Sequence, residues 1–272
     1  DENENQQYKK RVIMKDWALI LGASSGFGAA TAKKLAAEGI NIFGVHLDRR
    51  AAHSDIENLI GELKKNNVNV VFKNMNATDD EKINEVIEEL LSFKNIRIKI
   101  FLHSLAFGTL KPMIPIKNGA TILNQSNLEM TASVMAHSLV KWTQALINNQ
   151  LLKKGSQVFA MTSAGGRKQW MSYGAVSAAK ASLESYCRQL ALELSSANIA
   201  VNAIQAGVTK TPALEKIPGH IEMIDNALKV NPGKRLTLPE DVAHIINILG
   251  KSEETWLTGN TIRVDGGEDI TN

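Results

Sequence analysis

The chain carries one cysteine, Cys187, so no internal disulfide can form and a reducing, cytoplasmic setting is expected. No apolar run approaches the ~20 residues that a membrane-spanning helix needs, so no membrane segment is expected. The six histidines, at 46, 53, 103, 137, 220 and 244, stand at no metal-ligand spacing with Asp, Glu or Cys, and no metal site is expected. Neither sign of charge dominates: the net charge is +3 with acids and bases interspersed, which does not call for nucleic acid. Tyrosine is scarce, with only Tyr8, Tyr173 and Tyr186, so few residues are available for phenol chemistry. There is no internal repeat and no low-complexity linker.

What is present is an alternation. The 272 residues suffice for one large α/β domain. Residues 1–15 open with DENENQQYKKR and are expected to form a polar, flexible tail ahead of a single domain over 16–272. Apolar runs at Trp17–Leu21, Asn41–His46, Val68–Lys73, Ile98–His103, Gln157–Met161, Ile199–Ile204 and Thr261–Val264 read as strands. Helical patterns lie between them: an Ala-rich segment to Glu38, then Asp55–Lys65, Asp79–Phe93, Leu123–Ile147, Tyr173–Ala197 and Pro239–Leu249. Strands alternating with helices predict a doubly wound parallel sheet of about seven strands, covered on both faces. Pro212–Pro239 breaks the rhythm, holding four of the six prolines, and residues 212–238 are expected to form a substrate lid.

The first strand runs into Gly22-Ala-Ser24-Ser25-Gly26-Phe27-Gly28 and then a helix. Glycine permits positive φ and close backbone approach, and a helix N-terminus offers free N–H groups to a pyrophosphate. A dinucleotide site is therefore expected here. The second strand ends at His46-Leu47-Asp48-Arg49-Arg50, where the adenosine ribose is expected. An acid there suits a ribose 2′-hydroxyl and an arginine suits a 2′-phosphate. Two adjacent arginines favour NADPH over NADH.

Tyr173 and Lys180 are seven residues apart. Hydride delivery leaves negative charge on a substrate oxygen, and a phenol can donate a hydrogen bond or proton to it. A nearby ammonium is expected to lower the phenol pKa and to hold the nicotinamide ribose hydroxyls. Residues seven apart on a helix differ by ~20° in azimuth and ~10 Å along the axis, against ~6 Å for a spacing of four. The extra turn suits an oxygen displaced from the carbon that takes hydride, as in an α,β-unsaturated thioester.

These residues resemble the short-chain dehydrogenase/reductase family from Trp17 to about Asp269. The likeness rests on GASSGFG at 22–28, Asn76, HSLA at 103–106, Ser163, the Tyr/Lys pair, AGVTKT at 206–211 and VDGG at 264–267. The usual Tyr-x3-Lys spacing would put tyrosine at 176, where this chain has Val176; Tyr-x6-Lys is instead similar to the enoyl-acyl carrier protein reductase branch. The resemblance implies that Gly22, Ser24, Ser25, Gly26, Phe27 and Gly28 hold the pyrophosphate, and that Asn76 and Ala77 meet the adenine. It places Ser104, Leu105 and Ala106 on the ribose side of the fourth strand. Gly207 and Val208 would serve the carboxamide, with Thr211 near the pyrophosphate. Tyr173 would polarise a thioester carbonyl, Lys180 fix the ribose and Ser163 orient substrate or tyrosine. Phe107, Met171, Leu214 and Tyr173 would line the substrate pocket. The implied activity is NAD(P)H-dependent reduction of an enoyl thioester in fatty acid synthesis, with acyl carrier protein as a partner. A homotetramer is also implied, with contacts through Leu123–Ile147 and Tyr173–Ala197.

Two departures keep alternatives open. Ser163 stands where many enoyl reductases carry an aromatic residue and ordinary ketone reductases carry serine; Ser133 replaces the asparagine of the long central helix. A ketoacyl or carbonyl reductase is one alternative, and a nucleotide-sensing protein without turnover is another, since fold does not guarantee chemistry. His103 reads as structural, Met113, Met161 and Met171 as pocket or core, and Tyr186, Trp142 and Trp256 as packing.

Overall fold

The structure, a computed structural model, describes residues 14–115 and 119–271. Seven strands are formed: β1 (Lys15–Leu21), β2 (Asn41–His46), β3 (Val70–Asn74), β4 (Ile96–His103), β5 (Gln157–Ser163), β6 (Ala200–Ala206) and β7 (Thr261–Val264). They make one parallel sheet in the order β3-β2-β1-β4-β5-β6-β7. Between them run α1 (Gly26–Ala37), α2 (His53–Lys64), α3 (Asp80–Ser92), α4 (Gln125–Ala132), α5 (Ser138–Asn148), α6 (Gly174–Leu194), α7 (His220–Val230) and α8 (Pro239–Lys251). None of these is long and apolar enough to cross a membrane.

Side chains on a strand alternate between faces, and here both faces are buried. Trp17, Leu19 and Leu21 of β1 pack into the layer with α3, α5 and α6. Ala18 and Ile20 of the same strand pack into the opposite layer with α1 and α8. The strand order reverses between β1 and β4, so a crevice opens beyond their carboxyl ends, where ligands bind in open α/β sheets.

Several expectations are corrected. β1 begins at Lys15, inside the expected tail; the rest of that tail to residue 13, Tyr8 included, lies outside the described residues. The long central helix is interrupted by a π turn at Ser133–His137, with Ser133 opening it. π turns insert a residue and recur at functional sites. This one is followed by Ser138, whose hydroxyl donates to Val134 O and meets the ring of His103 at 2.7 Å. Residues 212–238, expected to form a lid, contain α7, bracketed by Pro218 and Pro232. Trp142 is fully buried with its N–H on Ala77 O, whereas Trp256 is 96 % exposed among the described residues, in the coil before β7.

Candidate active site

The glycine turn is built by close backbone approach. Gly22 has φ +82°, and a Cβ there would stand 2.4 Å from Ser104 O. A Cβ on Gly28 would meet Gly22 O at 2.0 Å, so the turn closes only without side chains at both positions. Ser25 caps α1 without a side-chain hydrogen bond, and the first turn holds no acid. The N–H groups at the head of α1 are therefore free for an anion. Thr211 stands over the turn, its Cγ2 within 3.4 Å of a Cβ on Gly26. This cradle fits a pyrophosphate.

At the adenosine end, buried His46 places Nδ1 2.9 Å from Asp48 Oδ2, and Asn74 bonds both the N–H and the C=O of Asp48. The acid is thus fixed and partly engaged. Arg49 and Arg50 are exposed and form no ion pair among the described residues. Asn76 turns its side-chain oxygen onto Thr78, while buried Ala77 holds Trp142 through its carbonyl.

At the chemical end, Tyr173 is the residue just before α6, not within it, and Ser172 ahead of it has φ 63°. Such a conformation is uncommon for a non-glycine residue and sits at many active sites. Burial holds the Tyr173 phenol above its ordinary value, opposed by the Ser163 hydroxyl. The expected lowering by Lys180 does not occur, because the ammonium is turned towards β5. There Lys180 Nζ donates to Met161 O at 2.6 Å. Burial lowers the Lys180 pKa to about 8, with Glu184 opposing. Ser163 Oγ is buried close enough to the phenol to act on it but makes no hydrogen bond of ordinary geometry. An unmet buried hydroxyl costs roughly 1–3 kcal/mol, which a ligand oxygen would recover. Gly165 packs between the two: a Cβ there would lie 2.5 Å from Tyr173 Cε1 and 3.2 Å from Ser163 Oγ.

A cavity of about 740 Å³ joins these parts, from Phe27 past Ser104, Leu105, Ala106 and Phe107 to Ser163, Tyr173 and Lys180. Gly207, Val208, Thr211 and Leu214 border it, and its apolar walls include Leu110, Met135, Val176 and, from residues 212–238, Ile217, Met223 and Ala227. Met171 is a correction: it is 63 % exposed and does not line the cavity, because the left-handed turn at Ser172 leaves it outside. Of the other methionines, Met161 lines the cavity and Met113 covers Gly174. His103 is fully buried, and burial together with Lys180 lowers its pKa to about 3, so it is neutral.

Five residues of this site escaped the sequence reading. Gly165 supports the phenol. Glu184, buried on α6, accepts from Thr162 Oγ1 at 2.7 Å. Trp170 donates from its indole to Pro218 O at 2.9 Å, tying the segment before Tyr173 to the one before α7. Glu268 takes the Val208 N–H at 3.1 Å, the amide expected to serve the carboxamide. Asp269 gathers Arg167, Lys168 and Arg263. Although burial raises its pKa, hydrogen bonds from Lys168, Gln205 and Arg167 hold it far below the carboxylate range, so it anchors the same segment to the C-terminus. A doubled glycine after Ser163 and an acid four residues after Lys180 were the only signals in the sequence.

Residues 22–268 match the family model described as Enoyl-(Acyl carrier protein) reductase. The chain is 30% identical to an Enoyl-[acyl-carrier-protein] reductase [NADH] FabI of Buchnera aphidicola subsp. Baizongia pistaciae, over 93% of this chain and 94% of that one. It is 26% identical to a 3-oxoacyl-[acyl-carrier-protein] reductase FabG of Thermotoga maritima, over 92% and 96%. The fold is shared with an enoyl-[acyl-carrier-protein] reductase (NADH) of Aquifex aeolicus, with TM-score 0.82 at 22% identity over 95% of this chain and 98% of that one. The chain belongs to the enoyl-(acyl carrier protein) reductase family of short-chain dehydrogenases/reductases and is an NAD(P)H-dependent oxidoreductase.

Proposed function

We propose that this family member reduces the C2–C3 double bond of an enoyl thioester, carried on acyl carrier protein or coenzyme A, in fatty acid synthesis. One observation carries the reading: the Tyr173 phenol and the unpartnered Ser163 hydroxyl meet at the head of an apolar cavity, and Lys180 stands two helical turns further along.

When bound, the nicotinamide would supply hydride to the β carbon, which places negative charge on the thioester oxygen until a proton reaches the α carbon. The Tyr173 phenol stays protonated through neutral pH and donates to that oxygen. Ser163 offers a second donor. Lys180, charged below about pH 8, holds the ribose hydroxyls with the N–H groups that Met161 O does not use. Leu110, Met135, Val176 and the lid take the acyl chain and exclude water. Free Arg49 and Arg50 beside an already engaged Asp48 favour NADPH over NADH. The partners of this reading are acyl carrier protein and further copies of the chain in a homotetramer.

Ser163 favours a second reading, a 3-ketoacyl reductase, because serine beside the tyrosine is the arrangement of ordinary ketone reductases. Nicotinamide absorbance separates the two. Oxidation driven by a crotonyl or longer 2-enoyl thioester, and not by the matching 3-ketoacyl thioester, supports conjugate reduction. Oxidation with the ketone alone assigns the second reading.

A further inference from the structure

Lys180 is a cation with almost no contact with water, and the groups around it supply little compensation. His103 of β4 is neutral, Tyr173 is a protonated phenol, and Cys187 of α6 is a thiol pushed up to about 12, with Arg188 acting on it from beyond. Among the described residues, the buried carboxylate facing this group is Glu184, one turn along α6 on the same side. Consecutive residues of β5 hold the two: Met161 O accepts from Lys180 Nζ at 2.6 Å, and Thr162 Oγ1 donates to Glu184 Oε1 at 2.7 Å. Gly166 leaves room for both, since a Cβ there would lie 2.9 Å from Glu184 Oε1 and 3.5 Å from Lys180 Cβ. No Lys180–Glu184 contact ion pair forms among the described residues, so the carboxylate compensates the charge without consuming the ammonium donors.

We propose that Glu184 is a positioning residue: a buried counter-ion, fixed by Thr162, that keeps Lys180 in its charged, donating form beneath the cavity. This rests on the reading of Lys180 as the ribose-holding cation. A carboxylate one helical turn from a buried ammonium favours its charged form, and removing only that carboxylate's charge isolates the electrostatic part.

The test follows the Lys180 side chain directly, by titrating protein carrying 13C-labelled lysine, with Lys180→Arg to assign its signal. Binding of NADPH is measured beside it from pH 6 to 10. Glu184→Gln keeps an acceptor for Thr162 and should lower the Lys180 midpoint by about one pH unit, about tenfold in proton affinity. The alkaline loss of NADPH affinity should move with it. Thr162→Val should produce a smaller shift in the same direction and serves where Glu184→Gln folds poorly. A midpoint unchanged in both variants overturns the proposal, and lowered thermal stability without that change makes Glu184 merely structural. If the alkaline loss of NADPH affinity survives Lys180→Arg, the reading of Lys180 fails first and takes the proposal with it. If it vanishes there but stays in place in Glu184→Gln, the reading stands and the counter-ion role alone is refuted.

Discussion

Replacing Gly165 with alanine tests how tightly the phenol is held. The new Cβ would stand 2.5 Å from Tyr173 Cε1 and 3.3 Å from Tyr173 Cδ1. Carbon atoms pack at about 3.5–4.0 Å, so something must yield by about 1 Å. The methyl rides on backbone between β5 and α6, so the ring is what moves, carrying its hydroxyl from the substrate oxygen. A displacement of that size costs about 100-fold in rate, or about 2.7 kcal/mol of transition-state stabilisation. The variant should bind NADPH normally and lose kcat with a 2-enoyl thioester by that factor. Gly61→Ala is the control: nothing lies within 4 Å of its Cβ, so turnover should be unchanged. Full activity in Gly165→Ala would refute the assignment of Tyr173 as the oxygen-binding donor in this geometry.

Three further outcomes are expected. Tyr173→Phe should leave the cofactor dissociation constant within about twofold and lower kcat by about 100-fold or more, as loss of an oxyanion donor does; titration of protein fluorescence and single-turnover kinetics separate the two effects. NADPH should raise the melting temperature more than NADH at equal concentration, and Arg49→Ala with Arg50→Ala should remove the difference, read by thermal shift. His103 has a folded pKa of about 3 against an ordinary 6.5, so its contribution to stability is complete above about pH 6.5 and is lost as pH falls through about 3. His103→Asn should flatten that part of the acid limb by on the order of 5 kcal/mol, measured as the pH dependence of the urea midpoint.

The strands at Asn41–His46 and Thr261–Val264 were readable to the residue because short β-favouring stretches follow turn-forming residues, Gly39 before the first and Asn260 before the second. The glycine turn, Tyr173 and Lys180 stood out by residue type and spacing and Ser163 by resemblance, and the fold brings Phe27 of that turn and the other three to one cavity. The π turn at Ser133–His137 was not, since the Leu123–Ile147 segment keeps a helical period through it and the irregularity involves Ser138 meeting His103 on a distant strand. The helix in the lid was hidden by prolines that bracket it instead of breaking it. Gly165 and Glu184 act through ring packing and a strand hydroxyl, which no local pattern records. Met171 failed as a pocket residue because one left-handed residue, Ser172, turned the chain.

The central claim is conjugate reduction, and the destination of the transferred hydrogen tests it most directly. Nicotinamide cofactor carrying deuterium at C4 would be supplied with a 2-enoyl thioester and, separately, with the 3-ketoacyl thioester of the same length. Deuterium recovered at C3 of a saturated acyl product from the enoyl substrate is the predicted result. Deuterium appearing only at the carbinol carbon of a 3-hydroxyacyl product, with the enoyl thioester returned unchanged, would contradict it.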